Sequence, residues 1–473
     1  MMKSSYKYLA KNIGVLTISN FATKLLSFFL VPLYTSILTT YEYGVFDFIS
    51  TTVLLIIPVL TENIQDASVR FSMDVNNDKQ GVFTVSLRYF FQGLICLSIL
   101  VMINYLFSFN GLFKEYGFIM ILMYIFQAMT GILISFAKGN EMIGAISTSS
   151  LLGSVIIIAS NILFLCFVKI GIVGYFIANI MGYVAQTIFL SVSIKTLRYY
   201  RPLNRYTALR KDMVKYSRPM VLNATAWWVN NASDRYIVTW LCGTAANGIY
   251  SVAYKIPSIL NIMQNIFDMA WSLSAYKEFD GDDNDGFFSK MYAGYNLLIV
   301  IVCSAFIVLD KFFCKILFAN EFYLAWKYVP FLMISVVFSA LGGYIGGIFT
   351  ALKISKEFAI STTVGAVVNF ILNIILIIKV GVIGAAIATA ISYFVVWLLR
   401  LVYLKKYLRM NISMIKNSIS YIILCIQACA ILLIKDDISM YCCEIVLFMI
   451  VVLIYIKQIM QICKKFKNVL IKR

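Results

Sequence analysis

Residues 151–168, LLGSVIIIASNILFLCFV, run without a charge and, as helix, are long enough with their flanks to cross about 30 Å of hydrocarbon. Residues 367–378, VVNFILNIILII, form the heart of a second such run, and others recur along the whole 473-residue chain. The composition follows: 61% hydrophobic, 13% charged, mean hydropathy +0.86. A soluble domain of that composition would expose large apolar patches, so the bilayer is the solvent this sequence fits. The expected fold is an all-α polytopic membrane protein of about fourteen transmembrane helices. Its opening, MMKSSYKYLAKN, leads without a small-residue cleavage site into a segment holding Asn20, Lys24 and Ser27, which reads as a retained first helix rather than a signal peptide.

The 40 Lys and Arg against 22 Asp and Glu give a formal charge of +18. In a soluble protein that excess would suggest nucleic acid; here its placement carries the information, and no nucleic-acid partner is expected. With spans laid out along the chain, most of the basic residues fall on the side that holds both termini. The positive-inside rule then places both termini in the cytoplasm of a multi-pass protein of the bacterial inner membrane. The chain has no histidine, which excludes imidazole as base, proton shuttle or ligand. Its ten cysteines are scattered without metal-ligand spacing, so no metal or other cofactor is expected.

The most basic connection, KTLRYYRPLNRYTALRKDMVKYSRP (195–219), lies near the middle, and the flanking halves repeat one another. KIGIVGYFIANIMGY from Lys169 matches KVGVIGAAIATAISY from Lys379 at a constant offset of 210, with Gly171/Gly381, Gly174/Gly384, Ala178/Ala388 and Tyr183/Tyr393 coinciding. Gly44 corresponds to Gly248 at offset 204. The layout expected is a six-helix lobe over 1–198, a basic cytoplasmic linker over 199–213, a homologous six-helix lobe over 214–410, and a final helix pair with a basic tail over 411–473. The repeated glycines read as tight helix starts and close packing rather than substrate contacts. The acidic stretch KEFDGDDNDGFFSK (277–290) lacks the closing Glu of a calcium loop and reads as a solvated turn.

Charges inside spans cost about 2.5–3.5 kcal/mol each near the bilayer centre, so they face a cavity or a partner. They concentrate in the first two spans of each half, near 12–37, 44–69, 214–241 and 244–276. The first carries Thr17, Asn20, Lys24, Ser27 and Tyr34 on one face. The second has Asp47 toward one end and Glu62, Gln65, Asp66 and Arg70 toward the other, where Asp66 and Arg70, spaced i,i+4, suit a cytoplasmic gate. The third carries Asn223, Asn230, Asn231, Asp234 and Arg235; the fourth carries Ser251, Lys255 and Ser258, with Asp268 beyond. By contrast, spans such as 357–379 and 440–462 have almost no ionisable residue inside and read as walls.

These polar faces are expected to meet in one cavity. Its deep cations, Lys24, Arg235 and Lys255, suit an anionic group such as a diphosphate, with Asn20, Asp47, Asn231, Asp234 and Ser258 around them. The alternative for each cation is a purely structural pairing with Asp47 or Asp234. Trp227, Trp228, Tyr236, Tyr250, Tyr254 and Trp271 share these helices and suit either sugar faces or interfacial belts and packing. Pro32, Pro58 and Pro257 mark expected bends.

NFATKLLSFFLVPLYTSILTTYEYGVFDFIS (20–50), followed by DASVRFSMD (66–74), resembles the amino-terminal signature of Wzx-type polysaccharide and O-antigen flippases. Those belong to the multidrug/oligosaccharidyl-lipid/polysaccharide (MOP) exporter superfamily. The resemblance implies export of an undecaprenyl-diphosphate-linked oligosaccharide by alternating access between two six-helix lobes, with Lys24, Pro32, Tyr43, Gly44, Asp47 and Arg70 as the matching positions. Such a protein is a transporter rather than an enzyme. It would work with membrane lipids, a polysaccharide polymerase and chain-length machinery, and be driven by the membrane potential or by H+ or Na+. Two other functions compete. A membrane polymerase or ligase would need an extensive outer loop, and the longest outer connection here, around DKFFCKILFANEFYLAWKY (310–328), is short. A multidrug or cation antiporter would need a cavity dominated by carboxylates rather than by deep cations.

Overall fold

The computed structural model describes residues 28–74, 77–201, 206–277, 286–352 and 354–471, with Phe21, Thr23 and Asp283. Among these there is no strand. The helices are α1 (Val31–Ile37), α2 (Thr40–Leu60), α3 (Ile64–Ser72), α4 (Lys79–Phe107), α5 (Gly111–Gly139), α6 (Ile143–Asn161), α7 (Gly171–Ile194) and α8 (Thr207–Cys242). They continue as α9 (Thr244–Ala253), α10 (Lys255–Lys277), α11 (Phe287–Val308), α12 (Asp310–Leu317), α13 (Val329–Ala351), α14 (Ser355–Val380), α15 (Ile383–Leu404), α16 (Met414–Leu433) and α17 (Asp437–Ile471). Eleven helices among the described residues are long and apolar enough to cross a membrane. The polar helices α8 and α10 are not among them. The sequence's first span lies mostly outside the described residues, as do half of the acidic stretch 277–290 and the positions Asn20 and Lys24.

Two spans that read as continuous are broken. The span from 44 divides into α2 and α3, because Pro58 weakens the end of α2 and Glu62 and Asn63 take left-handed φ values of +51° and +49°. The span from 244 divides at Tyr254, where the ring of Pro257 would collide with the carbonyl of Ala253, the last residue of α9. The repeated glycines sit where one helix gives way to the next: Gly171 opens α7 and Gly381 closes α14, and the two, equivalent in the halves, have φ of +55° and +72°, which a side chain disfavours.

The chain divides into two compact units, one of Met1–Thr239 with Gly243–Gly248, the other of Trp240–Cys242 with Ile249–Arg473. The first does not stop at the basic linker 199–213. Tyr206, Met213 and Val214 are buried in its core with Phe83, Phe136 and Leu190, which draws α8 into it. Its helices are well started: Thr39 and Glu42 form a reciprocal capping box at α2, and Asn110 accepts from the amides of Leu112 and Phe113 at α5.

In the second unit α13 is the enclosed helix, packed on α10, α11 and α15. Trp271 stacks on Tyr344 at 4.1 Å between centroids and donates Nε1–H to the Tyr344 carbonyl at 2.9 Å. Arg400 on α15 is buried, and among the described residues no carboxylate is a hydrogen-bond partner of it. It donates to the Gly342 carbonyl (2.8 Å), Ser361 (3.1 Å) and Thr362 (2.9 Å), with its guanidinium 4.3 Å from the Phe358 ring centroid. The final pair, α16 and α17, docks on α11 through a buried polar layer. Asn296 donates to Asn417 (3.1 Å) and Tyr455 (2.9 Å) and accepts from Tyr421 (2.6 Å).

Candidate functional site

The capping box fixes where α2 begins, and so the phase in which it presents Gly44 and Asp47. The first turn of α9 meets the first turn of α2 at Gly44 and Gly248, the pair that the repeat makes equivalent. A Cβ on Gly44 would overlap the Thr244 carbonyl, and one on Gly248 would overlap the Thr40 carbonyl; each would also stand 3.0 Å from the other glycine's amide nitrogen. Only glycine permits that approach.

The close contact brings Asn247 to Asp47. Asn247 Nδ2 donates to Asp47 Oδ2 at 3.2 Å and to the Gly44 carbonyl at 3.4 Å. From α8, Arg235 Nη1 donates to Asp47 Oδ1 at 2.7 Å. Asp47 is buried, so its charge is balanced by the guanidinium and both its oxygens are engaged. Below it, Trp228 Nε1 donates to the Thr51 carbonyl at 2.9 Å, Tyr236 shares a hydrogen bond with Thr52, and the Tyr236 ring sits 4.6 Å from Phe48. These aromatics fasten α8 to α2. Trp227, one residue away, is exposed.

The other sequence-derived positions are more dispersed. Asp234 is buried and accepts the Arg235 amide at 2.9 Å. Asn231 donates to the Trp227 carbonyl at 2.7 Å, a bond within its own helix. Lys255, in the second unit, is half-buried at the start of α10 and has no ion pair among the described residues; Ser258 donates to its carbonyl at 2.6 Å.

At the far end of α2 the pairing differs from the expected one. Asp66 accepts from Asn63 Nδ2 at 2.7 Å, and no ion pair among the described residues joins it to Arg70. The left-handed turn at Glu62 and Asn63 turns Asn63 back onto Asp66 and sends Glu62 to Arg218 of α8, whose Nε lies 2.7 Å from Glu62 Oε2. Neither Arg218 nor Asn247 stands out in the sequence. Arg218 lies among many basic residues, and Asn247 acquires its role only through the glycine contact.

The fold places the chain in a definite class. It is similar to that of the lipid II flippase MurJ in an inward closed conformation, with TM-score 0.67 and 17% identity over 93% of this chain and 99% of that one. It is also similar to an inward-facing multidrug resistance MATE family transporter of the MOP superfamily (0.64, 14%, 82% and 94%). A MOP superfamily transporter from Pyrococcus furiosus shares it as well (0.53, 13%, 83% and 93%). At such identities the likeness is one of fold: this is a multi-pass membrane protein of MOP-superfamily architecture. The family is set by sequence, since residues 9–276 match the family model described as polysaccharide biosynthesis protein, and the chain belongs to that family. No curated protein matches it. The resemblance read from residues 20–74 and the all-helical polytopic fold are both borne out.

Proposed function

We propose that the chain is a flippase that moves an undecaprenyl-diphosphate-linked oligosaccharide from the cytoplasmic to the outer leaflet of the bacterial inner membrane. The observation that carries this reading is membership of a polysaccharide biosynthesis family on a fold shared with a lipid II flippase. A polysaccharide pathway needs its lipid-linked intermediates carried across the bilayer. The charge of the candidate site agrees. Arg235 is a fork-shaped donor that can exchange the Asp47 carboxylate for a diphosphate oxygen, and Lys255 is a second cation to be tested in its own right. Lys24 is the third. Outward movement of a diphosphate is favoured by the membrane potential by about 2.3 kcal/mol per charge per 100 mV if no cation accompanies it. Working with a polymerase and chain-length machinery follows from the same reading.

The test is a flipping assay in proteoliposomes with a defined diphosphate-linked glycolipid. Arg235→Gln and Lys255→Gln should each slow transport while the protein still inserts, and Arg235→Lys should retain part of the rate. If Arg235→Gln transports normally, or if its loss is restored by also neutralising Asp47, Arg235 is only a structural partner of Asp47 and the site assignment falls.

A further inference from the structure

In the second unit, two turns beyond the satisfied layer at Asn296, a second buried polar layer lies between α11 and the final pair. Ser304 of α11 donates to Gln427 Oε1 of α16 at 2.7 Å, and the buried Gln427 Nε2 is turned to Glu444 without completing a hydrogen bond. Glu444 of α17, fully buried, faces this amide, but neither of its carboxylate oxygens meets a donor in full hydrogen-bond geometry. Near Glu444 stands Asp310, the first residue of α12, also fully buried; its Oδ1 accepts from Cys314 Sγ at 3.3 Å and its Oδ2 has no partner. Span 440–462, expected to be a plain wall, therefore contributes a buried acid one turn from its start. The sequence did not flag it because a single Glu near a helix end is ordinarily solvated.

Two buried carboxyls with three oxygens lacking a hydrogen-bond donor are costly in their charged forms. Two buried carboxylates near one another, without a cation of their own, disfavour double ionisation. The neighbouring cation, Lys311 on α12, favours the Asp310 carboxylate but is itself paired with Asp437 of α17 at 2.9 Å, so one cation faces three carboxyls; Cys314, Tyr323 and Tyr441 are neutral acids. Burial holds the Asp310 carboxyl well above the usual carboxylate range, against the Cys314 hydrogen bond and the Lys311 charge and with a smaller push from Glu444. Among the described residues there is no group of three acidic or thiol side chains placed to hold a metal ion.

We infer that Asp310 and Glu444, with the Gln427 amide, form a proton-binding carboxyl pair that joins α12 and the final helix pair in the second unit. The ligand is a proton: one of the two carboxyls keeps its O–H at neutral pH, and Gln427 Nε2 faces Glu444. The site is separate from the Asp47–Arg235 cluster and does not depend on the proposed substrate.

Infrared difference spectroscopy on the full-length protein in lipid tests it. The spectrum at pH 7 should contain a protonated-carboxyl C=O band that diminishes in Asp310→Asn and in Glu444→Gln and is lost when both are combined. Both substitutions copy the shape of the protonated acid, and circular dichroism verifies that each variant is folded. Absence of any band at pH 7 that the double variant removes would overturn the inference. So would loss of the wild-type band when sodium is added at constant pH, since the site would then hold a metal cation instead of a proton.

Discussion

Asp47→Asn is the most informative single change at the candidate site. In the wild type, Oδ1 accepts from Arg235 and Oδ2 from Asn247, so both positions must be acceptors. An asparagine supplies one acceptor and one NH2, which sets donor against donor on one side and leaves Arg235 facing a neutral group. Removing one partner of a buried ion pair costs about 3–5 kcal/mol. The Arg235 side chain keeps 23% of its exposure and Asp47 10%, so water compensates in part and the low end, about 3 kcal/mol, is expected. Arg235→Gln should cost a similar amount. The double variant, with two neutral amides, should cost little more than either single change, a coupling of about 2–3 kcal/mol. Equilibrium unfolding of the four proteins in lipid micelles measures it. Additivity within about 0.5 kcal/mol would mean that the two charges do not support one another and would refute this account.

Gly44→Ala should destabilise by about 1–3 kcal/mol in the same assay, because its Cβ meets a carbonyl that cannot rotate away; Gly144→Ala, with open space around it, should be near neutral. Trp271→Ala should cost about 3–5 kcal/mol in the second unit and Trp271→Phe distinctly less, since the latter keeps the stack on Tyr344 and loses the hydrogen bond. Asp310 has a raised pKa in the folded state, so the stability it contributes is fully present below the ordinary carboxylate range and is lost as pH rises toward its folded value. The expected slope is at most about 1.4 kcal/mol per pH unit, and Asp310→Asn should remove it in pH-dependent melting.

Much of the fold was legible because a bilayer imposes a length on each apolar run, and runs such as 151–168 and 367–378 admit one reading. The repeat was legible through Gly171/Gly381 and Gly44/Gly248, where backbone conformation or contact tolerates no other residue. The sequence also drew attention to Asp47 and Arg235, leaving open whether the arginine was spoken for. What remained hidden depends on contacts distant in sequence. Asn247 is an ordinary polar residue until Gly44 and Gly248 bring it to Asp47. The Glu62–Arg218 pair follows from two consecutive left-handed residues that no local pattern announces. Glu444 is buried only because Ser304, Gln427 and Asp310 come from three other helices.

The crossing of Gly44 and Gly248 amounts to an isologous interface folded into one polypeptide: the same patch from each half, touching its twin through main-chain atoms. Such a joint contains no rotamers to freeze and no side-chain volume to match, so substitutions elsewhere on α2 and α9 can accumulate without loosening it. In a true homodimer a single mutation strikes both copies of a contact. Here the twins are separate codons, and a lesion in one leaves the other intact. Gly44→Ala and Gly248→Ala, though they disturb one joint, therefore need not be equivalent in effect. The difference between them reports how far the two halves have drifted from the symmetry they began with.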